Sequence, residues 1–294
     1  MENSFEKVAI RVSVVSVVWN LILSLLKFLA GIAAHSGAMI SDAVHSASDV
    51  FSSIVVMIGV KIAGKDSDKE HPYGHERLEC VAAIVLATVL AATGLGIGYA
   101  AVMKLVHRDY MTVIPGTLAL AAAVISIAAK EAMFWYTRYY AKKIDSSALM
   151  ADAWHHRSDA LSSVGALIGI GGAIAGFPVM EPVASVVICF FIEKAALDIF
   201  RDAVDKMVDK SCDENMEEEL RKCALGTPGV VQIDLLRTRM FGNKIYVEME
   251  IGANENLSLK ESHSIAEQVH DAIENGWPKI KHIIIHVNPI REVI

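Results

Sequence analysis

Residues 42–59 read DAVHSASDVFSSIVVMIG, and residues 152–169 read DAWHHRSDALSSVGALIG. The offset is 110 residues throughout, and nine of the eighteen positions are identical. The shared residues are Asp42/Asp152, Ala43/Ala153, His45/His155, Ser48/Ser158, Asp49/Asp159, Ser52/Ser162, Ser53/Ser163, Ile58/Ile168 and Gly59/Gly169. Most are polar, yet both segments lie within long apolar runs. A run of about 20 apolar residues crosses a bilayer core as a helix. It must be helical there, because lipid offers no partner to a free backbone amide or carbonyl. Six stretches qualify, near residues 8–33, 38–64, 79–105, 112–141, 147–176 and 179–203.

Helix geometry gives the repeated polar residues a purpose. His45 and Asp49 are four residues apart, as are His155 and Asp159, so each pair shares one helix face. Each motif begins about two turns into its helix, roughly 11 Å at 1.5 Å per residue. The second and fifth spans run in opposite directions, so the two motifs approach the midplane from opposite faces and can meet. Two imidazoles and two carboxylates form an N2O2 donor set suited to tetrahedral Zn2+. Polar residues in spans also serve helix packing. Four ionisable groups in hydrocarbon, however, are too costly unpaired for that and mark an ion pathway. Asp42 and Asp152 precede each histidine by three residues. The spacing suits either acceptors for an imidazole N–H or helix-start residues favoured by the dipole. His156 points about 100° away from His155 and is expected to be a neighbour, not a ligand. The serine pairs are expected to let helices approach closely.

Around this repeat the chain divides in two. It has 294 residues, 53% hydrophobic and 21% charged, with a mean hydropathy of +0.41. The apolar runs end near residue 205, and the remainder reads as soluble. A transmembrane domain over residues 1–208 and an aqueous domain over 209–294 follow. The net charge of −7 gives no footprint for nucleic acid. Cys80, Cys189, Cys212 and Cys223 lack disulfide or zinc-finger spacing and are expected as thiols. The first apolar run is too long for a cleavable signal. Lys7 and Arg11 precede the first span, Lys61, Lys65, Lys69 and Arg77 lie in the second loop, and Arg138, Lys142 and Lys143 end the fourth span. The excess of positive charge places both termini in the cytoplasm.

The soluble part reads as α+β. A charged helix covers 213–225, and strands cover 230–240 and 244–251 around Gly242-Asn243. Ser258 with Glu261 makes a capping box for a helix to about Asn275, and 281–287 forms a third strand.

With HSASD in the second span, HHRSD in the fifth, six spans and a small tail, the chain resembles the cation diffusion facilitators, in particular bacterial efflux members of the zinc/iron type. The resemblance covers essentially the whole chain. It implies a homodimer in the plasma (inner) membrane that exchanges cytoplasmic divalent metal for protons, with a tail of ferredoxin-like, metallochaperone-like fold and no resident cofactor. It assigns His45, Asp49, His155 and Asp159 as transport ligands. A His-x-x-x-Asp pair accompanies zinc in this family; Fe2+, Mn2+, Co2+ and Cd2+ are the alternatives. The loop KDSDKEHPYGHERLE carries Asp68, His71 and His75, which match a second metal position. Pro72 and Gly74 make this segment a loop instead of a helix. Arg77 and Asp209 match a charge pair that locks the dimer. His263 and His286 fall at tail metal positions with Asp234, while Tyr246 and Asn288 replace other ligand types there. A membrane hydrolase would need an open metal position and a general base, and the sequence has no His-Glu-x-x-His motif.

Overall fold

The computed structural model describes residues 2–33, 49–50, 53–108, 117–177 and 179–290. Asp42, His45, Ser48, Ser52, Pro178 and the connection after the first span lie outside them. The chain forms two compact units, Glu2–Val204 and Asp205–Ile294.

The first unit is helical. Its helices are α1 (Glu2–Ala33), α2 (Ser53–Ala63), α3 (Arg77–His107), α4 (Thr117–Ile144), α5 (Ser147–Ile174) and α6 (Met180–Met207). Each falls on one expected span, α2 covering the described end of the second. Phe5–Leu29 and Arg77–His107 are long and apolar enough to cross a membrane by composition alone.

Burial in this unit is inverted relative to a water-soluble protein. Leu25, Leu95 and Phe190 are 60%, 61% and 73% exposed, whereas Asn20, Asp152 and His156 are fully buried. Apolar side chains turned outward with ionisable ones enclosed suit lipid as the solvent. Lipid gives helices no hydrophobic reason to associate, so close contact between small residues matters. Among the described residues, nine alanines sit in the enclosed core, Ala82, Ala83 and Ala87 of α3 among them. Gly59 of α2 meets Ala82 so closely that even a Cβ would collide with the Ala82 methyl. Gly94 and Gly98, one turn apart on α3, likewise receive Ile192 and Cys189 of α6.

A tight turn joins α4 to α5. Asp145 takes a left-handed φ of 56°, and the Ser146 hydroxyl accepts the Leu149 N–H at 3.1 Å. The two helices therefore pack as an antiparallel hairpin. Lys130 and Asp159 lie roughly 21 Å and 18 Å from this turn at 1.5 Å per residue. The hairpin thus brings them to the same depth.

The second unit contains α7 (Glu214–Leu225), β1 (Gln232–Phe241), β2 (Lys244–Asn254), α8 (Leu259–Gly276) and β3 (Ile280–Ile290). β1 and β2 form an antiparallel hairpin through Gly242, whose φ is 62°, and β3 adds in parallel to β2 after the α8 crossover. Leu220 and Ala224 of α7 and Ile265, Val269 and Ile273 of α8 share one core with Val247, Met249 and Ile251 of the central strand. A bulge in β1 falls between Ile233 and Leu235, leaving Asp234 out of register. All four cysteines are free thiols, and burial raises the Cys212 and Cys223 thiols above their usual range.

Ser258 caps α8. Its hydroxyl accepts the Glu261 N–H, and the Glu261 carboxylate accepts the Ser258 N–H at 2.8 Å. The Ser258 hydroxyl, followed by its N–H, holds the Glu261 carboxyl below its usual range. The lowered value means that the carboxylate's contribution is complete above the ordinary glutamate pKa of about 4.3. It is lost as pH falls through the folded-state value. Ser258→Ala is expected to destabilise the tail by about 1 kcal/mol. It should also flatten the acid limb of stability, measured by denaturant unfolding between pH 3 and 7, where about pH 4.3 marks the onset of the loss.

Candidate metal site

Asp49, His155 and Asp159 converge in the first unit. One ligand atom from each lies within 4.8 Å of the others. All three are buried, at 2%, 9% and 8% exposure. His155 Nε2 stands 3.5 Å from Asp49 Oδ1, so the second motif reaches across to the first. The spacing of four on α5 places His155 and Asp159 on the face that turns to Asp49. His45, the fourth expected ligand, lies outside the described residues.

A fourth charged group occupies this cluster. Lys130 of α4 is 2% exposed. Its ammonium donates to Asp49 Oδ2 at 2.6 Å and to Asp159 Oδ2 at 3.0 Å. These are short, charge-assisted bonds. Reading the repeat alone missed Lys130, because α4 carries no copy of the motif. The signal was nevertheless present: a lysine within a span is a functional residue by default.

Asp152 does face an imidazole, but that of His156, one turn on in α5, instead of His155. Its carboxylate accepts the Ser53 hydroxyl of α2 at 3.2 Å and faces His156 Nε2 at 3.5 Å. It therefore ties α2 to α5 beside the cluster, and among the described residues His156 is not one of the converging donors. Ser163 instead returns its hydroxyl to the Asp159 carbonyl, 3.0 Å away. Arg157 lies over the Phe134 ring at 4.3 Å and pairs with Glu131 at 3.4 Å, bracing α5 against α4.

Asp68, His71 and His75 form a second group whose ligand atoms also lie within 4.8 Å. No helix is needed. The Gly74 N–H donates to the His71 carbonyl at 3.0 Å, with Gly74 at φ 102°. This turn folds the imidazoles together, their centroids 4.5 Å apart. The His71 backbone N–H, 2.8 Å from Asp68, is the largest influence holding that carboxyl below its usual range.

The tail residues do not assemble in the same way. Among the described residues, Asp234, His263 and His286 form no common ligand group. His263 faces Glu267 on its own helix at 3.4 Å. Asp234, displaced by the bulge, accepts the Gln232 amide at 2.6 Å and the Asn288 amide at 2.9 Å. Asn288 also donates to Glu250 at 3.1 Å, a carboxylate that sequence reasoning did not select. Glu250 lies opposite His286 in the β2–β3 register. Amide donors thus satisfy the carboxylates here. Tyr246 is a core residue, packed edge-on to Phe241 at 5.3 Å. Arg77 opens α3, and Asp209 follows α6 with φ 62°; they belong to different units.

The family pattern described as the cation efflux transmembrane domain matches residues 13–208, and the pattern described as the cation efflux protein cytoplasmic domain matches residues 212–290. The chain belongs to the cation efflux family. It is a membrane transporter of divalent metal cations and not an enzyme. An uncharacterized transporter of Methanocaldococcus jannaschii is 34% identical over 275 residues, covering 94% of this chain and 96% of the relative. The manganese efflux system protein MneP of Bacillus subtilis is 29% identical, covering 99% of this chain and 100% of the relative. A solved cadmium form of a variant MamM C-terminal domain is 26% identical, covers 26% of this chain and 98% of that one, and has a TM-score of 0.26. The fold class is a helical transmembrane domain followed in the chain by a small α+β domain, as expected from the sequence of this cation efflux protein.

Proposed function

We propose that this cation efflux protein exports Zn2+ from the cytoplasm in exchange for protons, by alternating access around Asp49, His155 and Asp159 with His45 as fourth ligand. The convergence of the three buried donors from the second and fifth spans carries this reading. Imidazole nitrogens favour zinc over manganese, which stands lowest in the affinity order for such sites. Ligation requires deprotonated donors, so protons arriving from the outer side compete with the ion and release it. The N-terminus, the 61–77 loop and the tail face the cytoplasm, the loop group of Asp68, His71 and His75 binds a second ion, and Arg77 pairs with Asp209 to lock a homodimer. The tail acts as a cytoplasmic regulator.

The test is uptake into inverted proteoliposomes with and without an inward-acid pH gradient, comparing Zn2+, Mn2+, Fe2+, Co2+ and Cd2+. Zinc is expected to move fastest and to need the gradient. Faster manganese flux, as the name of MneP suggests for that relative, would reassign the cargo. Gradient-independent flux would remove proton exchange.

A further inference from the structure

Lys130 has no task in the transport scheme so far. Its ammonium touches Asp49 and Asp159, the two carboxylates that hold the cargo in that scheme. Zn–O bonds are about 2.0–2.2 Å long. An ion bonded to the two oxygens that the ammonium holds, Asp49 Oδ2 and Asp159 Oδ2, therefore competes for the volume in which Nζ stands. A divalent ion beside an ammonium in a low-dielectric interior is also strongly repelled. The two cations exclude each other on both grounds.

We propose that Lys130 is an internal competitor for the cargo. Its ammonium bridges Asp49 and Asp159 in the metal-free carrier, a divalent ion enters only by displacing it, and its return between the carboxylates helps expel the ion. This rests on the metal-site reading above. Two bare carboxylates in a span repel each other, and the bridging ammonium keeps them close and aimed at His155. Competition weakens binding, which suits a carrier, because a site that grips its ion too firmly releases it slowly. Competition also selects for charge. A monovalent ion brings no more charge than the ammonium it would displace, whereas a divalent ion does. Lys130 is thus a positioning and selectivity residue supplied from α4, outside the repeated motif.

The experiment compares the full-length protein with Lys130→Met and Lys130→Gln, all in an Asp68→Asn background that suppresses the loop group. Zn2+ affinity is measured by competition with a chelating indicator, and zinc flux in proteoliposomes separates KM from the maximal rate. Both variants are expected to bind Zn2+ about tenfold tighter or more, because the competing state is gone. Their maximal flux should fall, and zinc should raise their melting temperature more than it raises that of the native protein. The glutamine variant keeps a hydrogen-bond donor, so it decides the matter if the methionine variant fails to fold. Folded variants with unchanged or weaker zinc affinity overturn the proposal. Asp159→Asn separates the two levels. If it binds zinc normally, the metal-site reading itself fails; if it loses zinc while the Lys130 variants bind as the native protein does, only the competitor role fails.

Discussion

Asp159→Ala is expected to lower metal affinity and transport by about a hundredfold or more while leaving a folded protein. Substitutions that only disturb the orientation of a metal ligand already cost roughly 10–100-fold in affinity. Removing a ligand does at least as much. The fold is expected to survive because of Lys130. Breaking a buried ion pair is severely destabilising when it strands a charge, but the ammonium retains Asp49 at 2.6 Å. Equilibrium zinc binding and vesicle flux read the first effect, and thermal unfolding in detergent reads the second. Native flux in a folded Asp159→Ala protein would show that the cluster is not the transport site.

The second large effect falls in the tail. Ile251 lies on the central strand, is fully buried, and packs in the core shared by α7, α8 and the sheet. Ile251→Ala is expected to destabilise this unit by about 2–5 kcal/mol, from lost transfer energy and the cavity left behind. In a domain of this size, each kcal/mol shifts the melting temperature by about 4–8 °C, so the tail transition should drop by roughly 10 °C or more. Calorimetry on the full chain measures it. Ile284→Ala is the reference: this β3 side chain is 55% exposed, so its loss should stay within about 0.5 kcal/mol. Equal effects at both positions would contradict the observed packing.

Much of this was legible in the chain itself, for local reasons. Helix periodicity and span length depend only on neighbouring residues, so six helices and the two four-residue ligand spacings could be read directly. The same holds for the Ser258–Glu261 cap, which closes over three residues, and for the Gly242 turn. Asp68, His71 and His75 were legible as a group because they are close in sequence, although it is the turn through Gly74 that brings their rings together.

The repeat of one polar motif within two apolar runs, with imidazole and carboxylate at a four-residue spacing, is written in the chain, and the second copy stands in α5. Periodicity carries that information. Tertiary structure alone decided what else meets at that depth. The α4–α5 hairpin delivers Lys130 to Asp49 and Asp159 across separations of 81 and 29 residues. Asp152 reaches back 99 residues to Ser53, and the β1 bulge turns Asp234 toward Asn288. Such contacts depend on how helices and strands pack, which no local spacing encodes. For that reason the approach of Asp49 to His155 and Asp159 could be foreseen from the repeat, and the cation set between them could not.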